Sequence, residues 1–143
     1  MIAPVALPLE ANDTTTSNAD GISLIGRILL ATIFVFFGFG KAVDPASTIG
    51  YIGSVGLPFP ALAYAGAVAI ELGGGIALLL GYRTRVVALA LALFSILTAM
   101  IFHANLADQN QMIHFFKNFA MAGGLLQVAA FGAGRFSLDS RRA

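Results

Sequence analysis

The chain contains no cysteine. That excludes a disulfide framework, thiol redox chemistry within the chain, and iron–sulfur or zinc sites held by thiolates. It leaves the redox compartment open. Charge is also scarce: only 10% of the 143 residues are Asp, Glu, Lys or Arg, and the formal net charge is +1. No basic patch is available to neutralise a phosphate backbone, so nucleic acid is excluded as a partner. There is no P-loop, no Rossmann glycine pattern, no nucleophile–base pair and no recognisable metal-ligand spacing. Residues 1–21 have neither a basic start nor an apolar core and do not read as a signal peptide. With Glu10, Asp13, Asp20 and the run Asn12-Asp13-Thr14-Thr15-Thr16-Ser17-Asn18, they are expected to form a disordered cytoplasmic tail.

What the chain has in abundance is apolar sequence. Hydrophobic residues make up 58% of it, and its mean hydropathy is +0.86. Soluble domains run near ~45–50% apolar and ~25% charged. Here the polar residues are too few to cover a soluble core. Four hydrophobic runs occur, at residues 22–40, 61–81, 86–102 and 113–133. A helix rising 1.5 Å per residue needs about 20 residues to cross a hydrocarbon core of ~30 Å. The expected fold is an all-α integral membrane protein, a four-transmembrane-helix bundle over residues 22–134. A basic cytoplasmic tail, residues 135–143, follows it. Between the first two spans, Asp44-Pro45 reads as an N-cap followed by proline at the first helical position. Ile49, Tyr51, Ile52 and Val55 then form a short interfacial helix, ended by Gly56-Leu57-Pro58-Phe59-Pro60.

The polar residues inside these runs carry the information. Glu71 sits in the second run, followed by Leu72-Gly73-Gly74-Gly75. An acid at a helix centre costs about 2.5–3.5 kcal/mol on insertion scales, so it calls for a partner. The glycines lack side chains and let another helix approach. In the first run, Gly38 and Lys41 fall within about 40° of Arg27 on a helical wheel. Arg27 is the expected partner of Glu71 by depth, with Lys41 second, and Glu71 and Arg27 are expected to form a structural polar core. In the third run Ala88, Ala92, Ser95, Ala99 and His103 recur every three or four residues, as in a close helix–helix seam.

Four spans put both termini on one side. Arg83, Arg85, Arg135, Arg141 and Arg142 gather on that side, which the positive-inside rule makes cytoplasmic. The opposite end collects Lys41, His103, His114, Lys117 and Asn118. These donors, with Phe34, Phe36, Phe37, Phe115 and Phe116 as apolar walls, suit a quinone, whose two carbonyl oxygens accept hydrogen bonds. The bland alternative is that the histidines are ordinary helix-end residues.

In their order and spacing, several pieces together resemble the DoxX family of small four-helix bacterial and archaeal membrane proteins. They are Arg27 with Phe36-Phe37-Gly38-Phe39-Gly40-Lys41, Gly56-Leu57-Pro58, Glu71-Leu72-Gly73-Gly74-Gly75, Gly81-Tyr82-Arg83-Thr84-Arg85, and His103. Lys117-Asn118, Gly123-Gly124 and the stretch from Gly132 to Asp139 complete the set. The resemblance implies a four-helix fold in the bacterial cytoplasmic (inner) membrane. Archaeal members resemble the small membrane subunit of a thiosulfate:quinone oxidoreductase. Mycobacterial relatives are linked to a complex with a sulfurtransferase and a superoxide dismutase. No catalytic residue carries over.

The expected function is therefore a membrane subunit, or quinone-interacting partner, of an oxidoreductase complex. Its partners would be the lipid bilayer, a soluble redox protein and, if it oligomerises, further copies of itself. A small-molecule or proton-coupled transporter is one alternative. A structural or assembly factor without its own activity is the other.

Overall fold

A computed structural model describes residues 13–142, with side chains from residue 18, and contains no strand among them. Helix is what these runs must form, because a backbone in hydrocarbon has to satisfy its own polar groups. α1 spans Asp13–Val43, α2 Pro45–Ser54, α3 Pro60–Val68, α4 Gly74–Leu80, α5 Thr84–Phe102 and α6 Gln109–Phe131. Between α3 and α4, Ala69–Gly73 winds as a single π-helical turn, so Pro60–Leu80 is one long helix with a wide turn in its middle. A 3-10 turn at Asp139–Arg141 ends the described chain.

Among the described residues, three helices are long and apolar enough to cross a membrane: Asn18–Val43, Pro60–Leu80 and Thr84–Phe102. The fourth expected span, α6, has 23 residues, within the range of these three. Its first turns carry Gln109, Asn110, Gln111, His114, Lys117 and Asn118, which lower its hydropathy.

The interfacial helix forms as its sequence signals. Asp44 Oδ1 accepts a hydrogen bond from the Ser47 N–H at 3.1 Å, and Pro45 opens α2. Asp108 caps α6 in the same way, accepting from the Gln111 N–H at 2.9 Å. α5 packs most extensively on α6, and α1 packs on the π turn and α4. Ala31, Phe34, Leu78, Leu91 and Leu125 are buried between these helices. Lipid tails are as apolar as leucine, so this core is held by close packing and polar contacts. Gly75 and Gly38 supply the closeness. A Cβ on Gly75 would stand 2.9 Å from Val35 Cγ2, and one on Gly38 would stand 2.9 Å from both Glu71 Cβ and the Leu72 nitrogen. Phe36, Leu62, Leu93 and Phe131 project outward, as lipid-facing side chains would.

Both ends of the described chain pack back on the bundle. α1 begins at Asp13 and so takes in residues 13–21, the later part of the expected tail. The earlier part of the expected tail, residues 1–12, lies outside the described residues. A distant segment holds this helix start. Asp20 Oδ1 accepts from the Arg135 N–H at 2.9 Å, and the Ser23 hydroxyl reaches the Ala133 carbonyl at 3.3 Å. The C-terminal segment is likewise folded back. Leu138 N–H donates to Leu80 O at 3.1 Å and Asp139 N–H to Gly81 O at 2.9 Å. In return the Asp139 carboxylate accepts from the N–H groups of Arg83 and Thr84, at 2.7 and 2.8 Å, and caps the start of α5.

Candidate functional site

The π turn sets where Glu71 points. One extra residue in the turn displaces the helix register locally, a device that recurs at functional sites. Glu71 is 6% exposed, and its partner is Lys41, in the last turn of α1. The ammonium donates to Oε1 at 3.0 Å, while Oε2 lies 2.8 Å from the same nitrogen outside hydrogen-bond geometry. Gly38, one turn before Lys41, provides the space for this approach.

Arg27 is not the partner of Glu71, contrary to the depth argument. It is fully buried at the other end of the bundle. Its Nη1 donates to the Leu78 and Leu79 carbonyls at 3.0 and 3.1 Å, and its Nη2 donates to the Phe136 carbonyl. Leu78 and Leu79 end α4, where a cation also suits the helix dipole, and Leu78 O accepts from the Gly81 N–H as well. Depth estimated from residue counts missed this competition, because backbone acceptors leave no mark in a sequence. The polar core expected from Glu71 and Arg27 is thus two separate structures.

The expected outer cluster does assemble. Lys41, His103, His114, Lys117 and Asn118 line one cavity of about 170 Å³, and Glu71 lines it with them. The rings of His103 and His114 stack with centroids 5.0 Å apart. His103 Nδ1 is 2.8 Å from Gln111 Oε1, and His114 Nδ1 is 2.9 Å from the Lys117 ammonium. An ammonium only donates, so His114 Nδ1 is the lone-pair nitrogen and its Nε2 carries the proton. An amide oxygen only accepts, so His103 Nδ1 carries the proton and its Nε2 is the acceptor. The stacked pair therefore presents one donor and one acceptor. Asn118 is 8% exposed and ties its Nδ2 to the His114 carbonyl at 2.9 Å, which leaves its side-chain oxygen free to accept.

The walls differ from those expected. Phe34 and Phe37 line the cavity, and Phe94 joins them. Phe36 and Phe116 point away and are exposed, and Phe115 packs on Phe116 and Phe119. Phe37 lies under both ammonium groups, with its centroid 5.7 Å from Lys41 Nζ and 5.2 Å from Lys117 Nζ.

A second cavity, of about 350 Å³, shares Lys41, Glu71, Phe94, Thr98 and His103 with the first. Its remaining walls are mostly apolar and include Ile52, Leu57, Leu97, Ile101 and the stacked pair Tyr51–Phe102. Sequence reading placed the interfacial helix but did not foresee that it roofs this chamber. Ile52, one of the apolar residues of that helix, is the one it buries.

A sequence model of the DoxX family matches residues 22–104, a stretch that includes Lys41, Glu71 and His103. Inner membrane protein YqjF of Escherichia coli (strain K12) is 39% identical over 116 residues, which cover 81% of this chain and 88% of YqjF. Inner membrane protein YphA of the same organism is 38% identical over 123 residues, 82% of this chain and 88% of YphA. No solved structure matches the chain. With the family model covering more than half of it and these relatives most of it, the chain belongs to the DoxX family of membrane proteins.

Proposed function

We propose that this protein is a membrane subunit of an oxidoreductase and that it offers a quinone site at the Lys41–Glu71–His103 end of the bundle. One observation carries this reading: a polar chamber and an apolar chamber share a wall made of Lys41, Glu71 and His103. An amphiphile with a polar ring and an apolar tail matches that division. The ring's carbonyl oxygens need donors, and His114 Nε2–H and the Lys117 ammonium supply them. Phe37 and Phe94 give the ring apolar faces. The tail lies along Leu57, Leu97 and Ile101. A bound quinone would supply the electron-accepting ring. The chain's own groups orient it, exclude water from one face, and hold protons at His114 Nε2 and His103 Nδ1.

α6 completes the bundle as a fourth crossing in this reading, since 23 residues at 1.5 Å span about 34 Å. The arginine-rich end lies in the cytoplasm and the quinone site near the outer leaflet. A soluble redox protein is the partner that would exchange electrons with the bound ring.

The test is photolabelling of the purified protein with a photoreactive short-chain quinone. Labelled peptides should come from the His103 and Lys117 regions, with excess quinone suppressing the label. The variants H103A and K117M should lose at least half of it while keeping the wild-type circular dichroism. Label spread evenly over lipid-facing peptides, or left unchanged in both variants, would sink the proposal.

A further inference from the structure

The bundle has a second two-part site at its opposite end, built from α1, α5 and α6. Between α1 and α6 runs an apolar groove of about 660 Å³, with Ile22, Leu29, Val128 and Phe131 on its sides and Gly26 and Gly124 on its floor. A Cβ on Gly26 would meet nothing within 4 Å, so the floor is open rather than packed. The groove ends at Gly132. There it meets a second cavity, of about 360 Å³, that Gly132 also lines together with Arg83, Arg85 and Asp139.

The guanidinium of Arg85 stands at this junction. A Cβ on Gly132 would lie 3.6 Å from its Nε and 3.8 Å from its Nη2. Both acids at this end are already engaged: Asp139 by the backbone of Arg83 and Thr84, and Asp20 by Arg135. Arg85 itself makes no ion pair or hydrogen bond among the described residues. Asp139 also occupies the N–H groups at the start of α5, so any ligand charge must be met by arginine side chains.

We infer that this junction is a binding site for an anionic phospholipid, with its phosphate on Arg85 and Arg83 and one acyl chain in the α1–α6 groove. The charge selects the lipid class. A zwitterionic lipid brings its own cation to a place that holds two arginines and no free acid. The groove selects a lipid over free phosphate, because an acyl chain fills an apolar slot that phosphate leaves open. A basic side chain beside an anionic lipid surface is worth about fivefold in affinity.

The site is tested by native mass spectrometry of the detergent-purified protein, titrated with phosphatidylglycerol or with phosphatidylcholine of the same chains. Wild type should retain phosphatidylglycerol in preference. R85Q should weaken that binding about fivefold and R83Q by a similar factor, with phosphatidylcholine unaffected. G26L should weaken both lipids by filling the groove. R85Q is exposed and leaves the core intact, so it stands as the deciding variant if G26L fails to fold. Three results would overturn the inference. They are equal retention of both lipids, full displacement of phosphatidylglycerol by inorganic phosphate, and a lipid-free dimer that uses the groove as its interface.

Discussion

Lys41 and Glu71 meet across a gap of thirty residues, one at the end of α1 and the other on a π-helical turn. Their side chains are 28% and 9% exposed, so neither charge is fully hydrated. Removing one member of such a pair strands the other. E71Q should lower stability by about 2–4 kcal/mol, somewhat below the cost for a fully buried pair. The double variant K41M/E71L removes both charges and should recover most of that loss. Thermal unfolding in detergent measures both. If E71Q and K41M effects simply add, the two residues are not coupled.

Gly38 makes that ion pair geometrically feasible. A methyl group there would meet Glu71 Cβ and the Leu72 nitrogen at 2.9 Å, and the latter is backbone that cannot turn aside. G38A should therefore cost about 1–3 kcal/mol by overpacking. Gly40, two residues on, has nothing within 4 Å of an added Cβ. G40A serves as the control, and its unfolding temperature should stay within a degree or two of wild type or rise slightly, since alanine favours helix by about 1 kcal/mol over glycine.

These residues also show what the sequence disclosed. The lone acid in an apolar run announced a partner, and the following glycines announced a close helix. The grouping of Lys41, His103, His114, Lys117 and Asn118 followed from counting crossings, since an even number returns these positions to one end. What failed was the choice of Arg27 as the acid's partner. A wheel and a rise per residue give azimuth and depth, but Arg27 was claimed by carbonyls at the end of α4 and by Phe136, more than a hundred residues away. The π turn was equally hidden, because nothing in the run Ala69–Gly73 distinguishes it from the α-helix on either side. The bond from the Arg135 N–H to Asp20 is again a contact between distant segments.

Arg27 should then be the most sensitive single position at its end of the bundle. R27M takes the guanidinium from the Leu78, Leu79 and Phe136 carbonyls, of which Leu78 keeps the Gly81 N–H. Each unsatisfied buried group costs roughly 1–3 kcal/mol, and a total loss near 3 kcal/mol is expected because water can reach part of the site. R27K should recover only part of it, since one ammonium cannot fork across three acceptors as a guanidinium does. Equal unfolding temperatures for R27K and wild type would show that charge alone matters there.

Asp139 gives the fold a dependence on acid. Partial burial pushes its carboxyl up, but the Thr84 side chain, the N–H groups of Thr84 and Arg83, and the charge of Arg142 outweigh this and hold it below the ordinary aspartate value. The unfolded chain therefore binds this proton more readily than the folded one, and stability rises with pH across the interval between the two values. Above the unfolded value, about 3.9, the contribution is complete; it fades as pH falls through the folded value. Unfolding temperatures measured from pH 7 downward should drop more steeply for wild type than for D139N. D139N should already be less stable at pH 7, because an amide accepts the two N–H bonds less well than a carboxylate.

The absence of cysteine makes the membrane orientation directly measurable. Asn105 is an exposed residue of the loop between α5 and α6, at the His103–Lys117 end, while Arg141 is exposed in the C-terminal turn beside the arginine-rich end. With the arginine-rich end in the cytoplasm, a membrane-impermeant maleimide applied to intact spheroplasts should label N105C. R141C should react only after the membrane is opened. The reverse pattern would move the proposed quinone site to the cytoplasmic leaflet. Labelling of both positions from one side would mean that α6 does not cross, because Asn105 and Arg141 flank that helix.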